Sequence, residues 1–582
     1  MLCQKGVYPY EYVDDVSRLE ETSLPPIAKF YSSLLGKGIT AKQYLQAQTV
    51  FQIMKCKTLG DYHDIYLKTD VLLLADVFEN YRTSCLEKYN LDPANYISTP
   101  SISWDAMLQI TNQEIGLIHD DEMRQFFEPS KRGGIVQAGG QRYAVANNKY
   151  MKKYNPDVES SYISYLDMNN QYGHAMCDFL PHKLNGVVEK TLEEILNTPD
   201  DNPTGYFVKC DITIPIELHE KFKDYPPCPE SMCIETEWLS DYQKSVLKLN
   251  EVRHSNKSKK LVLNLFDKKD YVCHFRYLKC VEKLGCKITA IHKVVEFEQS
   301  KWLKTYIDKN TEYRKHAKSD LEKDLFKLMN NAIYGKTNED VLKHSKFEII
   351  KNEKIAIKRM TAEGFKNGTM LDEMFFIESN ANKCKFNRPV YIGSAILDLS
   401  KVYMLNFHYD YMNVKYPNRA KLIYTDTDSF VYHVKTEDLY QDQFLDKHLF
   451  DLSEVKIEKF NDQENKKVVG KMKDETQMVP LIEFIALGPK CYSLITDDDH
   501  CTKKAKGVAK AVLQNDITLQ DYRNTLASGK SLEKINTTIR SFKHQLYTYR
   551  FSKTCLSAFD DKVYRDTINT GHPYGFKLLM NA

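Results

Sequence analysis

The chain has 582 residues, 42% hydrophobic and 27% charged, with a formal net charge of +2. That length predicts roughly three to five domains, and the apolar share suffices for several cores. No run of about 18 apolar residues occurs and the start, MLCQKGVYPYEYVDD, has no apolar segment, which excludes a spanning helix or secretory signal and predicts an intracellular protein, nuclear or cytoplasmic, with no membrane partner.

Leu24-Pro25-Pro26 marks an exposed turn near the beginning. Tyr66-Leu67-Lys68-Thr69-Asp70 then opens a helical run through Phe78, with Tyr66 and Asp70 four apart on one face. Lys131-Arg132-Gly133-Gly134 is a short glycine loop of a common kind. In Tyr165-Leu166-Asp167-Met168-Asn169-Asn170-Gln171-Tyr172-Gly173, strand-forming residues run into an acidic residue and then a turn. Asp167 is thereby predicted at a strand end, although a lone aspartate there also reads as an ordinary helix cap. Strand-like segments alternate from about 185 to 300, and a helical stretch rich in Lys, Glu and Leu begins near Leu303. Within it Lys327, Asn331 and Tyr334 fall at helical spacing on one face. Arg314 and Lys318 are also four apart, so one helical hairpin offers several cations to a triphosphate.

The most informative stretch is Tyr424-Thr425-Asp426-Thr427-Asp428-Ser429, between the apolar runs Leu422-Ile423 and Phe430-Val431-Tyr432. Such flanks predict a hairpin that presents two aspartates together on a tight turn. Oxygen ligands of that kind suit Mg²⁺, which keeps waters and is shared with substrate phosphates. Two-metal phosphoryl transfer needs carboxylates from separate strands to converge, with the ions about 3.5–4 Å apart; Asp167 with Asp426 and Asp428 forms such a set. Further on, Gly488-Pro489-Lys490-Cys491-Tyr492 precedes a basic remainder: residues 455–582 hold 21 Lys+Arg against 15 Asp+Glu, which suits phosphate contacts along a duplex. The 14 cysteines are scattered without a C-x-x-C pair, and read as reduced thiols rather than a zinc site or disulfide framework.

Taken together, these motifs resemble those of the family B DNA polymerases, most closely their protein-primed branch, which includes the polymerases of Maverick/Polinton-like mobile elements and related viruses. Asp167 and Tyr172 match motif A. Lys327, Asn331, Tyr334 and Gly335 match motif B, K-x-x-x-N-x-x-Y-G. Tyr424 to Ser429 match motif C, Y-x-D-T-D-S. The resemblance covers about residues 5–580 and implies an α+β multidomain, right-hand polymerase with palm, fingers and thumb, preceded by a partial RNase H-like exonuclease domain. The implied boundaries are 1–95 for the exonuclease remnant and 96–145 for a connecting segment. Residues 146–300 are a palm part with insertion, 301–345 the fingers, 346–455 the rest of the palm, and 456–582 the thumb and C-terminal region.

By this resemblance Asp167 and Asp428 bind two Mg²⁺ ions with the Met168 carbonyl assisting, and Asp426 supports the site. Tyr172 excludes a 2′-hydroxyl. Lys327 contacts the incoming triphosphate, with Arg314 and Lys318 as weaker counterparts, and Asn331 and Tyr334 shape the base-pair pocket. Lys490 and Tyr492 look like the family's K-x-Y element on the primer strand. Tyr424 and the glycines Gly133 and Gly134, which resemble the branch's Y-x-G-G linker without its tyrosine, are further DNA contacts.

Two departures stand out. Gln171 puts a polar side chain where the family usually has an apolar one. Tyr66 and Asp70 resemble the third exonuclease motif, yet residues 1–65 contain no D-x-E, so the chain reads as N-terminally truncated in this domain, with no proofreading expected. The expected activity is template-directed addition of deoxynucleotides to a primer 3′-hydroxyl, with primer–template DNA and deoxynucleoside triphosphates as partners and a terminal protein as the primer the branch allows. The alternative is a catalytically inactive DNA-binding relic of a mobile element. A metal-dependent nuclease fits less well, because it has no need of the Lys327/Asn331/Tyr334 helix.

Overall fold

The structure, a computed structural model, describes residues 2–380, 387–542 and 545–576. It divides into two compact units. The first comprises Met1–Ile102, Gly507–Thr518 and Glu533–Cys555; the second comprises Ser103–Lys506, Leu519–Leu532 and Leu556–Ala582.

The first unit is organised by the 31-residue helix Leu59–Tyr89. A reciprocal capping box starts it: the Asp61 N–H donates to Thr58 Oγ1 (3.3 Å) and the Thr58 N–H to Asp61 Oδ2 (3.1 Å). Asn90, in the left-handed region at φ 55°, ends it. Leu59 and Tyr62 pack with Ala47 and Val50 in a small core. Cys85 and Tyr89 near its end are also buried, whereas Leu67, Val71, Leu72 and Leu74 in its middle are exposed.

The second unit is built around a six-stranded sheet in the order Val136–Ala138, Ala420–Asp426, Ser429–Lys435, Ser161–Met168, Met472–Asp474 and Phe450–Asp451. Its pairs are antiparallel except that of the last two strands. Ser161–Met168 is buried along nearly its whole length, which matches its apolar and small residues and its central place. The 17-residue helix Val390–Asn406 is buried over almost every residue. A helix apolar on all sides belongs in a core, and its polar members Ser394, Asp398, Ser400 and Lys401 therefore all lie inside.

The alternating segments after motif A fold into a four-stranded antiparallel sheet in the order Leu180–Val188, Lys287–Ser300, Thr204–Thr213 and Lys268–His274. The expected helical hairpin follows as Lys304–Lys315 and Asp320–Thr337. Its two helices are tied by the buried Asn310 Nδ2 donating to Asn330 Oδ1 (2.9 Å) and by the Tyr306 hydroxyl donating to the Met329 carbonyl (3.1 Å). Ser345–Ile350, Met374–Asn380 and Phe365–Leu371 then form a separate three-stranded sheet, flanked by the helix Glu353–Met360, that the sequence reading did not single out. Another four-stranded sheet joins Tyr143–Val145 to the hairpin that bears Lys490 and Tyr492. Among the described residues no helix is long and apolar enough to cross a membrane.

Candidate active site

The Asp-Thr-Asp motif folds as the predicted tight hairpin. Asp426 pairs with Ser429, so only Thr427 and Asp428 form the loop. Thr427 has φ 64°, a positive value at the first loop residue of the kind two-residue hairpins demand and which usually selects glycine. The backbone fixes this turn from three directions. The Asp428 N–H donates to the Asp426 carbonyl (2.8 Å), the Thr427 N–H to the Ile135 carbonyl (2.7 Å), and the Met168 N–H to the Asp428 carbonyl (2.8 Å).

Motif A lies on the adjoining strand with Asp167 opposite Ser429. Asp167, on that strand, and Asp428, on the turn just before Ser429, thus come side by side and line one cavity of about 320 Å³. Neither is in a salt bridge among the described residues. Burial, then the Asp428 and Glu475 charges, push the Asp167 carboxyl up to about 8, against the opposing pull of Lys327 and Lys473. Burial likewise raises Asp428. Two partly dehydrated carboxylates, with no ion-pair partner among the described residues, are the donor set that a divalent ion fits.

Asp426 is set differently. Lys490 Nζ donates to both its carboxylate oxygens (2.7 and 2.8 Å), and Asp426 is not among the residues that line the cavity. Lys490 sits in the left-handed region at φ 56°, and its N–H donates to the Tyr424 hydroxyl (3.0 Å). Tyr424 is only 1% exposed, so its ring belongs to the core beneath the turn rather than to a surface. It packs on Tyr492 (centroids 4.9 Å apart), whose hydroxyl pairs with that of Tyr165 at 3.1 Å.

On the helical hairpin, Arg314, Lys327 and Asn331 line the cavity. Lys318 does not, because the first helix ends at Lys315. The four-residue spacing of Arg314 and Lys318 therefore crosses the interhelical loop instead of following one face, and Lys315 lines the cavity in its place. Tyr334 stacks on Tyr172, centroids 4.4 Å apart and planes 23° apart, which joins motif A to motif B.

The glycine loop has an asymmetric role. A Cβ on Gly133 would meet nothing within 4 Å, whereas one on Gly134 would lie 2.7 Å from Thr427 Cβ and closer still to its Oγ1 and Cγ2. Gly134 thus lets the chain press against the Asp-Thr-Asp turn.

Lys467 and Lys473 of the basic C-terminal part line the same cavity, and with them Asp451, Glu454 and Glu475, which motif spacing missed. Lys473 pairs in register with Asp167 on the side away from Ser429, and its Nζ donates to Glu454 (2.6 Å). The only available signal was the Lys-Met-Lys-Asp-Glu run at 471–475 in the basic C-terminal part. In the first unit Tyr66 and Asp70 share a helix face, with Tyr66 hydroxyl-bonded to Tyr10 (2.8 Å). Among the described residues no three His, Cys, Asp or Glu side chains converge as a metal-holding group there or elsewhere.

A sheet that sets Asp167 beside the turn bearing Asp428, with a cationic helical hairpin lining the same cavity, is the palm-and-fingers arrangement of the right-hand polymerases, as the sequence led us to expect. Comparison with known proteins makes the class specific. The family model for DNA polymerase type B, organellar and viral, matches residues 2–414, and the chain belongs to that family: it is a DNA-directed DNA polymerase. Phi29 DNA polymerase in its orthorhombic crystal form superposes with a TM-score of 0.52 at 14% identity, covering 95% of this chain and 79% of that one. Its complex with primer-template DNA and incoming nucleotide substrates gives 0.50 at 14% identity, with the same coverage. These likenesses establish the right-hand fold. No curated protein sequence matches the chain.

Proposed function

We propose that the chain extends a primer on a DNA template by two-metal phosphoryl transfer at Asp167 and Asp428, in the replication of a mobile element or virus-like genome. The observation that carries this reading is the pair of half-buried carboxylates, Asp167 on its strand and Asp428 on the turn beside it, free of ion pairs among the described residues and lining one cavity with Arg314 and Lys327. Asp167 and Asp428, with the Met168 carbonyl, would hold two Mg²⁺ ions, which neutralise charge on the attacking and leaving oxygens. The lack of a self-sufficient cluster of three ligands among the described residues fits ions completed by water and triphosphate oxygens.

Within this scheme the chain's own groups bind and orient. Lys327 and Arg314 hold the triphosphate tail, while Lys315, Lys467 and Lys473 add to the positive wall. Tyr172, braced by Tyr334, forms the floor under the sugar and rejects a 2′-hydroxyl, and Asn331 borders the nascent base pair. Lys490 couples the primer strand to the turn through Asp426, with Tyr492 beside it and Tyr424 supporting from below. Catalysis then rests on positioning and charge stabilisation rather than on a covalent intermediate. Primer–template DNA and deoxynucleoside triphosphates are the partners, and a terminal protein hydroxyl supplies the primer where the protein-primed habit of the resembled branch holds. Tyr66 and Asp70 do not assemble an exonuclease centre in this scheme.

The test is extension of a labelled primer–template with Mg²⁺ and four deoxynucleotides, beside D428N. Extension by the wild type that D428N abolishes supports the reading. A folded, DNA-binding wild type that extends nothing favours the inactive relic.

A further inference from the structure

Gln171 is 3% exposed and opens the short helix Gln171–Met176, one residue before Tyr172. Its Nε2 donates to two backbone carbonyls from distant parts of the chain: Ser400 in the buried helix Val390–Asn406 (3.2 Å) and Thr427 at the apex of the Asp-Thr-Asp turn (3.4 Å). Its Oε1 is buried and has no hydrogen-bond partner, which is costly. A side chain kept there for packing alone would be apolar.

The geometry points to Gln171 as a positioning residue: its amide NH₂ pins the Thr427 carbonyl, and so the carboxylate of Asp428, to the central helix. The other ties on the turn are backbone bonds to its sheet neighbours and the Lys490 contact with Asp426. Those bonds move with the sheet. Among the described residues Gln171 alone, as a side chain, links the Thr427 carbonyl to the core helix, and it does so from the segment that carries Asp167 and Tyr172. Only a group with two N–H donors on one nitrogen can bridge two carbonyls in this way. Glutamate has the size without the donors, and methionine has the volume without either polar function. Thr427 holds a strained positive φ, so a turn released at its carbonyl has somewhere to relax to.

The inference rests on the reading of Asp167 and Asp428 as the reacting centre, and the experiment separates the two. Purified wild type, Q171M, Q171E and D428N are compared for steady-state primer extension, for melting temperature, and for the Mg²⁺-dependent shift of that melting temperature. A displacement of the turn by about 1 Å is worth on the order of 100-fold in rate. We therefore expect Q171M and Q171E each to lower kcat about 10- to 100-fold, with the KM for deoxynucleotide within about threefold of wild type and a weakened Mg²⁺ shift. Wild-type kcat in Q171M overturns the inference. So does a parallel loss of kcat, KM and melting temperature in both variants, which marks a packing residue. An inactive wild type, or D428N equal to wild type, overturns the underlying site assignment instead.

Discussion

Replacing Gly134 by alanine tests the construction of the turn most directly. The added methyl carbon would stand 2.7 Å from Thr427 Cβ and nearer to the tip atoms of that side chain, well inside ordinary contact. Thr427 cannot swing away freely, because its N–H is held by the Ile135 carbonyl and its carbonyl by Gln171. Overpacking of this kind costs about 1–3 kcal/mol, and a unit this large loses about 1 °C per kcal/mol, for a fall of about 1–3 °C. The larger effect is on activity, since an Asp428 carboxylate moved by about 1 Å lowers kcat on the order of 100-fold. G133A is the control, because its methyl meets open space. T427G removes both the obstructing side chain and the strain of a β-branched residue at positive φ, so G134A/T427G recovers much of what G134A loses, with a coupling energy of about 1–3 kcal/mol. Melting curves and steady-state primer extension of the wild type and these four variants provide the readout. A G134A enzyme indistinguishable from G133A, or a coupling energy of zero, refutes the argument that the glycine exists to let the loop press on the turn.

K327A removes a charge-assisted contact worth about 1.5–3 kcal/mol, so the KM for deoxynucleotide rises about 10- to 100-fold in steady-state kinetics. Y334A removes a stack worth about 0.5–1.5 kcal/mol on Tyr172, and with Y172A it raises ribonucleotide incorporation, scored by alkali-labile products on a gel. The native state of the metal-free protein holds a proton on Asp167 up to about pH 8 that the unfolded chain has released near pH 4. The unfolded state therefore binds fewer protons in that window, and stability falls as pH rises through it. D167N removes this slope, so its melting temperature exceeds that of the metal-free wild type at pH 8 by more than at pH 5, and Mg²⁺ narrows the gap. D70N, lacking further carboxylates to act with, leaves the 3′ end of a labelled primer as stable as wild type does in an overnight degradation assay.

Motif spacing reached the centre of the site because its chemistry is local: Asp-Thr-Asp on a two-residue hairpin, Asp167 at a strand end, and Lys327, Asn331 and Tyr334 on one helix are each set by a short stretch of chain. Lys318 shows where local spacing fails. Its four-residue distance from Arg314 means a shared face only if the helix continues, and the helix stops at Lys315. Glu475 and Asp451 were invisible because they reach the cavity through the strands Met472–Asp474 and Phe450–Asp451, which lie beside Asp167 across some 300 residues of sequence, a pairing no single-segment pattern encodes. Gly134 was noticed as a glycine, but the reason for it, the side chain of Thr427, is a tertiary neighbour.

The turn that carries Asp428 is braced by Ile135, Met168, Gln171 and, through Asp426, Lys490. Those contacts span most of the polypeptide, so no early fragment can possess a finished centre. A chain emerging from the ribosome has all three polymerase motifs by residue 429, yet it still lacks the strand Met472–Asp474 beside Asp167 and the lysine that engages Asp426. Contacts this distant in sequence form late and slowly. A premature stop before about residue 490 therefore leaves Asp426 without its lysine, and one before about residue 472 also leaves Asp167 without its neighbouring strand.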